Sequence, residues 1–417
     1  VIILIAIPKF EIFQKLMDKI NLLTRENLTG IRVIRALNRE DFEEKKFVKA
    51  NNELTKTDLS IVKVMQLQTP IMLLIFNGTS LLAIWVGIAR LGMDISYLGK
   101  MMAFMQYATQ VIMSFLFLTM LFVMIPRANV SAKRINEVLM TESEIQFPEE
   151  MTEEPTVKAS VEFRHVDFRY GKSEGKVLEN ISFKAEAGKT TAFIGSTGSG
   201  KSTLINLVPR FFDATAGEIL ISGVDIKKYP EATLMKRIGY VPQKGYLFAG
   251  TVRSNILFGV NEGSIGSMKK AAKVAQAAEF INKMPEKYES KIAEGGTNVS
   301  GGQRQRLSIA RALAKEPEIL IFDDAFSALD MKTDSKLREA LKAVTQNAVT
   351  LVVAQRISTI RDAEQIIVLD KGKIVGKGSH YELLDKCKVY LEIAKSQLSD
   401  DEIARELRIS KEKAGRK

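Results

Sequence analysis

A length of 417 residues is enough for two or three domains and for large apolar cores. The 60 Lys and Arg against 49 Asp and Glu leave a net charge of +11, yet no basic patch with interleaved aromatics forms, so no nucleic-acid partner is expected. Basic residues flanking apolar spans explain the excess more simply, and the one cysteine, Cys387, excludes an internal disulfide.

The chain opens inside the apolar run Val1–Ile7 with no signal-peptide layout, so further sequence is expected upstream. Lys9–Lys63 reads as a long charged helical stretch with a break expected near Thr29-Gly30. Ile31, Ile34 and Leu37 recur there at helical spacing with Arg32, Arg35 and Arg39 interleaved, either as a solvated amphipathic helix or as a cytoplasmic extension of membrane helices. Val64–Ala89 and Met101–Pro126 each lack any charge. A bilayer core about 30 Å thick needs roughly 20 apolar residues in a helix, so each run is long enough to span it. Two buried helices of a soluble core is the competing reading. Arg90–Lys100 would close a membrane hairpin, and Asn77, Gly78, Thr79 and Ser80 suit close helix packing. Arg127–Glu142 continues as a helix, and Ile145–Pro155 is an acidic, Pro-bearing linker. The domain boundaries expected are therefore 1–142, a linker 143–158, 159–398, and a charged tail 399–417 that is helical or frayed.

From Ser160 short β runs alternate with helices. Val161, Phe163, Val166 and Phe168 alternate with polar residues, whereas Ala192–Ile194, Ile319–Phe322, Leu351–Ala354 and Ile366–Leu369 are apolar throughout, as strands buried on both faces are. An α/β domain with a central parallel sheet follows. Gly195-Ser196-Thr197-Gly198-Ser199-Gly200-Lys201-Ser202 fulfils the phosphate-loop pattern, after the strand Thr190–Ile194 and opening a helix Ser202–Val208. Backbone N–H groups there converge on phosphate oxygens, Lys201 reaches the β- and γ-phosphates, and Ser202 ligates Mg²⁺. Asp323 ends an apolar strand on the side where open α/β sheets bind ligands, as a magnesium partner. Val299-Ser300-Gly301-Gly302-Gln303 opens a second helical run, Arg304–Ala314. A Ser-Gly-Gly turn at a helix N-terminus is another anion site, and one domain has no use for two such sites on one triphosphate.

On these residues the chain resembles the ABC transporters, and in particular a type IV exporter half with its membrane domain fused to its nucleotide-binding domain. The resemblance implies an α-helical transmembrane and intracellular-loop domain plus an α/β P-loop NTPase domain with a β-subdomain and a helical signature subdomain. It implies ATP and Mg²⁺ as cofactors, with the signature turn Ser300-Gly301-Gly302-Gln303 capping an ATP held by the P-loop of an opposite domain. Tyr170 resembles the aromatic that stacks on adenine, and Thr203 extends the P-loop contacts. Gln243, in Tyr240-Val241-Pro242-Gln243, resembles the glutamine that touches Mg²⁺ and senses the γ-phosphate. Ser327-Ala328-Leu329-Asp330 resembles the loop that crosses the dimer interface, and Glu294-Gly295-Gly296 one that meets the membrane domain's elbows. Residues 26–40 look like the second intracellular loop, Val1–Phe10 the end of transmembrane helix 4, and the two spans helices 5 and 6. The partners implied are a second half-transporter, membrane lipid and an exported substrate. The location implied is the cell (inner) membrane, multi-pass, with the ATP domain cytoplasmic.

Besides Val299 at the first position of the signature turn, a small apolar change, two positions at the active site depart from the family pattern. The residue after the strand-end aspartate is usually Glu, which polarises the attacking water; Asp324 is a methylene shorter and falls about 1–1.5 Å short of that reach. The family's switch histidine is Gln355 here, an amide with no imidazolium charge, and neither His165 nor His380 is placed to substitute. The combination resembles the weaker half of heterodimeric exporters, in which one of two ATP sites hydrolyses poorly. A homodimer with an active Asp324/Gln355 pair is the alternative, and the spans argue against a soluble ABC ATPase.

Overall fold

The computed structural model describes residues 2–91, 96–151, 153, 155, 158–171, 175–260 and 264–414. Two compact units divide the chain, Val1–Glu142 and Ser143–Lys417. The first is helical: α1 (Ile2–Ala36), α2 (Glu40–Gln66), α3 (Gln68–Leu91) and α4 (Ser96–Leu139). Cross-helix polar contacts join α1 to α2: Lys9 donates to the Ser60 hydroxyl, and Lys19 meets Glu53 at 3.3 Å. At Gly87 of α3 an added Cβ would stand 2.5 Å from the Met101 sulfur of α4, so a larger residue there would require the Met101 side chain to move.

The break between the first two helices is not at Thr29-Gly30. Helix α1 runs through that pair, where the Thr29 hydroxyl donates back to the Arg25 carbonyl at 2.8 Å and Gly30 costs only about 1 kcal/mol of propensity. The chain turns instead at Asn38, left-handed with φ 51°. Its N–H bonds the Arg35 carbonyl and that of Arg39 bonds the Ile34 carbonyl, the paired closure of a Schellman turn, for which Asn is one of the few suitable non-glycine residues.

One helical stretch among the described residues, within Glu40–Ile88, is long and apolar enough to cross a membrane, and none of its most apolar window is buried. Leu74 and Trp85 are each 75% exposed, which suits lipid as the surrounding medium rather than a protein core. The second expected span, residues 101–126, lies in α4 and falls partly outside the described side chains.

In the second unit the all-apolar runs become the centre of a six-stranded sheet. The strands are β1 (Ser160–Phe168), β2 (Leu178–Glu186), β3 (Thr190–Gly195), β4 (Ala216–Ile221), β5 (Val224–Asp225), β6 (Ile238–Val241), β7 (Gly250–Thr251), β8 (Lys291–Ile292), β9 (Ile319–Asp323), β10 (Val349–Val353), β11 (Gln365–Asp370) and β12 (Lys373–Gly378). The large sheet has the order β12-β11-β3-β10-β9-β6 and is parallel apart from the antiparallel edge strand β12. A smaller antiparallel sheet, β2-β1-β4-β5, stacks Phe163 on Phe183 with ring centroids 4.6 Å apart, and β7 pairs with β8. Every residue of β9 and β10 is buried, which is why their sequences show no alternation. The parallel order brings the carboxyl ends of β3, β10, β9 and β6 to one edge, side by side.

The described part of the tail is helical. It forms a helix, Asp400–Ala414, with Ile403 buried and the Glu406 carboxylate 2.6 Å from the Arg361 guanidinium.

Candidate functional site

Each of the four adjacent strand ends delivers one chemical group. Strand β3 runs straight into the glycine-rich turn. There Gly198 and Gly200 take left-handed φ of 81° and 98°, and a Cβ on Gly195 would stand 2.1 Å from the Leu369 carbonyl oxygen, so neither the path nor the space admits a side chain. The turn feeds α5 (Lys201–Asn206), a shorter helix than the expected 202–208, since residues 207–210 continue as turns. Lys201 folds over its own loop and donates to the carbonyls of Gly195 at 2.9 Å and Ser196 at 2.7 Å. Burial pulls its ammonium below the usual lysine range, against the pull of Asp324 and Asp323.

Strand β9 ends in Asp323, whose Oδ1 accepts the Ser202 hydroxyl at 3.1 Å. Asp324 follows in the left-handed region at φ 47°, a conformation that Asp tolerates better than most side chains, with its N–H on the Val353 carbonyl. Gln243, after β6, and Gln355, after β10, both turn their amide nitrogens onto Asp324 Oδ2, at 3.2 and 2.9 Å. Burial raises the proton affinity of both carboxyl groups; the Ser202 hydroxyl opposes this at Asp323, and the Gln243 amide opposes it at Asp324.

A cleft of about 340 Å³ collects Thr197, Gly198, Gly200, Lys201, Ser202, Thr203, Gln243, Asp323, Asp324 and Gln355. Val177 and Val353 complete its lining, two apolar residues that no motif marks. Tyr170 joins the cleft through Thr203, with the two hydroxyls 3.1 Å apart, and its ring lies nearly perpendicular to those of Phe168 and Phe212. Gly195, Ser196 and Ser199 shape the turn from beneath, Ser199 being buried.

Ser300, Gly301, Gly302, Gln303 and Asp330 are not among the residues that line this cleft. Ser300 caps the helix Gly301–Ala314 in a reciprocal box with Gln303. A Cβ on Gly301 would meet nothing within 4 Å, whereas one on Gly302 would stand 3.3 Å from the Ala328 carbonyl oxygen. Asp330 caps the helix Met331–Val344 by accepting from the Thr333 N–H at 2.9 Å. Sequence reasoning missed Gln305, a buried residue whose amide accepts from the Gly245 N–H and donates to the Pro242 carbonyl, gripping the loop that carries Gln243 from both sides. A polar residue on the apolar face of a helix was its only sequence signal.

The chain matches the family described as ABC transporter at residues 178–327 and the ABC transporter transmembrane region at residues 10–115. It is 42% identical over 396 residues to an ABC transporter ATP-binding protein of Mycobacterium tuberculosis, covering 94% of this chain and 68% of that protein. The ABC transporter ATP-binding protein YfiB of Bacillus subtilis is 40% identical, covering 93% of this chain and 67% of its own length. The ATP-dependent lipid A-core flippase of Desulfotalea psychrophila is 37% identical, with 92% and 68% covered. Among solved structures, a bacterial Atm1-family ABC exporter with ATP bound superposes with a TM-score of 0.81 at 29% identity, covering 96% of this chain and 71% of that one. The chain belongs to the ABC transporters: it is an ATP-hydrolysing exporter subunit of the membrane, with a helical transmembrane region fused to a cytoplasmic nucleotide-binding domain, of a kind that works as a dimer.

Proposed function

We propose that this chain is the ATP-holding, slowly hydrolysing half of a heterodimeric exporter. The arrangement at Asp324 carries the reading. A carboxylate that polarises water needs a free oxygen aimed at that water. Here the carboxylate is a methylene shorter than the family's usual Glu, and its Oδ2 already accepts from both Gln243 and Gln355. Gln355 brings a neutral amide where the family pattern has an imidazole, so charge developing on the γ-phosphate receives less support.

Binding, by contrast, is fully provided for. The amides of residues 195–202 and Lys201 take the β- and γ-phosphates, Thr203 extends the contacts, and Tyr170 stacks on the base. The Ser202 hydroxyl and the Asp323 carboxylate already meet at 3.1 Å, a donor set that suits a hard divalent cation, with Gln243 beside them. Mg²⁺ held there would neutralise phosphate charge. Ser300, Gly301, Gly302 and Gln303 serve the partner's nucleotide, and Asp330 belongs to the loop that crosses to the partner. Support for this division comes from their place outside the cleft and from the open space over Gly301. The second reading, a homodimer with a working Asp324/Gln355 pair, is supported by Asp324 lining the same cleft as Lys201 and Ser202.

The test is the double substitution Asp324→Glu with Gln355→His in the reconstituted pair. With the partner's own site inactivated, turnover at this chain's site should rise about tenfold to a hundredfold, the span that a 1 Å correction of a reacting group commands. An unchanged turnover would remove the slow-site reading.

A further inference from the structure

We infer that Gln397 is a positioning residue for Gln355, so that the C-terminal segment sets where the Gln355 amide stands in the nucleotide cleft. The inference rests on the reading above that Gln355 faces the γ-phosphate. Gln397 is 42 residues further along the chain and outside every motif discussed so far.

The step from β10 into the short helix Ile357–Ile360 is where Gln355 sits, and this step has few internal supports. The strand end is fixed, because the Ala354 N–H donates to the Phe193 carbonyl at 3.1 Å. The helix is fixed at its middle, because the Arg338 guanidinium binds the Ser358 and Thr359 carbonyls at 3.0 and 3.3 Å. Between these anchors the helix N-cap is Arg356, whose side chain makes no cap hydrogen bond, so the first helical N–H needs another acceptor. Gln397 supplies it. Its Oε1 accepts from the Ile357 N–H at 2.9 Å, and its Nε2 donates to the Gln355 carbonyl at 2.7 Å. One primary amide thus pairs with the backbone on both sides of Arg356, as a neighbouring strand would. A shift of that backbone moves the Gln355 side chain, which reaches only 2.9 Å to Asp324 at the floor of the cleft.

Gln397 is itself held firmly. Its N–H closes the helix Lys388–Lys395 on the Ala394 carbonyl at 3.0 Å, and Tyr390 and Ala394 of that helix are fully buried. The following helix, Asp400–Ala414, adds a second tie: Glu406 binds Arg361, the residue that ends the helix Ile357–Ile360, at 2.6 Å. The C-terminal segment therefore grips the switch segment 355–361 at both ends. A purely structural amide would need only one of these contacts to close a loop. The two-sided pairing fixes the height and tilt of the one peptide that carries the cleft residue.

The discriminating quantity is the ATP-to-ADP preference of the purified full chain in nanodiscs, read by displacement of a fluorescent nucleotide in the presence of Mg²⁺. ADP has no γ-phosphate for Gln355 to meet, so mispositioning Gln355 weakens ATP while sparing ADP. Gln397→Ala should lower the preference about fivefold, the size expected from one misaligned hydrogen bond to a charged group. Gln397→Glu, which keeps the acceptor for Ile357 and loses the donor to Gln355, should fall between wild type and Ala. Gln355→Ala should show the same loss, and the double variant should lose no more than either single one, the signature of coupled residues. Equal losses for ATP and ADP, or losses of the two single variants that add, would overturn the positioning role. If Gln355→Ala leaves the preference unchanged, it is the reading of Gln355 that fails instead. Tm measured on the same samples separates a general loosening, which lowers Tm without altering the preference and also counts against the proposal.

Discussion

The Gln355 amide nitrogen lies 2.9 Å from Asp324 Oδ2, which places a neutral donor against one of the two carboxylates that line the cleft. Replacing that donor by an acid of the same length reverses its sign. In Gln355→Glu two carboxylates would share the site, and both cannot remain ionised at that separation. Each pKa unit of such repulsion is worth about 1.4 kcal/mol, so ATP affinity at pH 7 should fall about tenfold or more. Gln355→Asn, uncharged and shorter, should lose no more than the roughly fivefold expected of Gln355→Ala, because Lys201 and the glycine turn are untouched. Equilibrium binding of ATP to the two variants checks this. Equal affinities would show that Gln355 does not stand over the phosphates.

Gly301 and Gly302 are neighbours with opposite surroundings, and the difference makes a selective test of the trans assignment. An added Cβ at Gly301 meets nothing within 4 Å, while at Gly302 it presses on the Ala328 carbonyl. Gly301→Ala should leave the chain's own ATP affinity unchanged and its Tm equal or slightly higher, since alanine also favours the helix by about 1 kcal/mol. Hydrolysis by the assembled pair should nevertheless fall by at least about tenfold, because the methyl would occupy space into which the partner's nucleotide must fit. Ser300→Ala is the less clean probe, as losing the cap costs about 1 kcal/mol of stability on its own. If Gly301→Ala preserves the pair's activity, the turn does not serve a partner site.

The parts legible in the sequence are those where one residue type is forced by its local environment. Buried parallel strands are apolar throughout, so β3, β9, β10 and β11 are readable, and the glycine-rich turn and Asp323 follow from their ends. Other features depend on groups far apart in the chain. The helix break falls at Asn38 because a Schellman closure can use Asn, while a lone glycine at position 30 is tolerated inside a helix. Gln243 and Gln355 meet on a single oxygen although 112 residues separate them in the numbering, and no local pattern announces that. Gln305 and Gln397 act on backbone atoms of other segments, which spacing along the sequence cannot reveal.

Ser202 Oγ and Asp323 Oδ1 are 3.1 Å apart, close enough to share one cation, which predicts how binding responds to metal removal. Ser202→Ala should weaken ATP binding about tenfold in the presence of Mg²⁺, as the loss of one ligand from a site built on a few oxygens implies. With EDTA present the variant and the wild type should bind ATP equally, since the backbone amides and Lys201 remain. A difference that persists in EDTA would assign the Ser202 hydroxyl to the phosphate itself.

Tyr170 offers the last test, because its hydroxyl and its ring make separable predictions. The hydroxyl stands 3.1 Å from that of Thr203, and the ring lies nearly perpendicular to those of Phe168 and Phe212. If the ring stacks on the base, Tyr170→Phe should keep nucleotide affinity within about threefold, since it loses only a hydroxyl contact. Tyr170→Ala should lose stacking worth about 1–3 kcal/mol, roughly fivefold to a hundredfold in affinity. That loss should be the same for ATP and ADP, which share the base, and inorganic tripolyphosphate should compete for the site of the Ala variant as well as it does for the wild type. A loss that tracked the number of phosphates instead would mean that Tyr170 supports the P-loop through Thr203 and does not read the base.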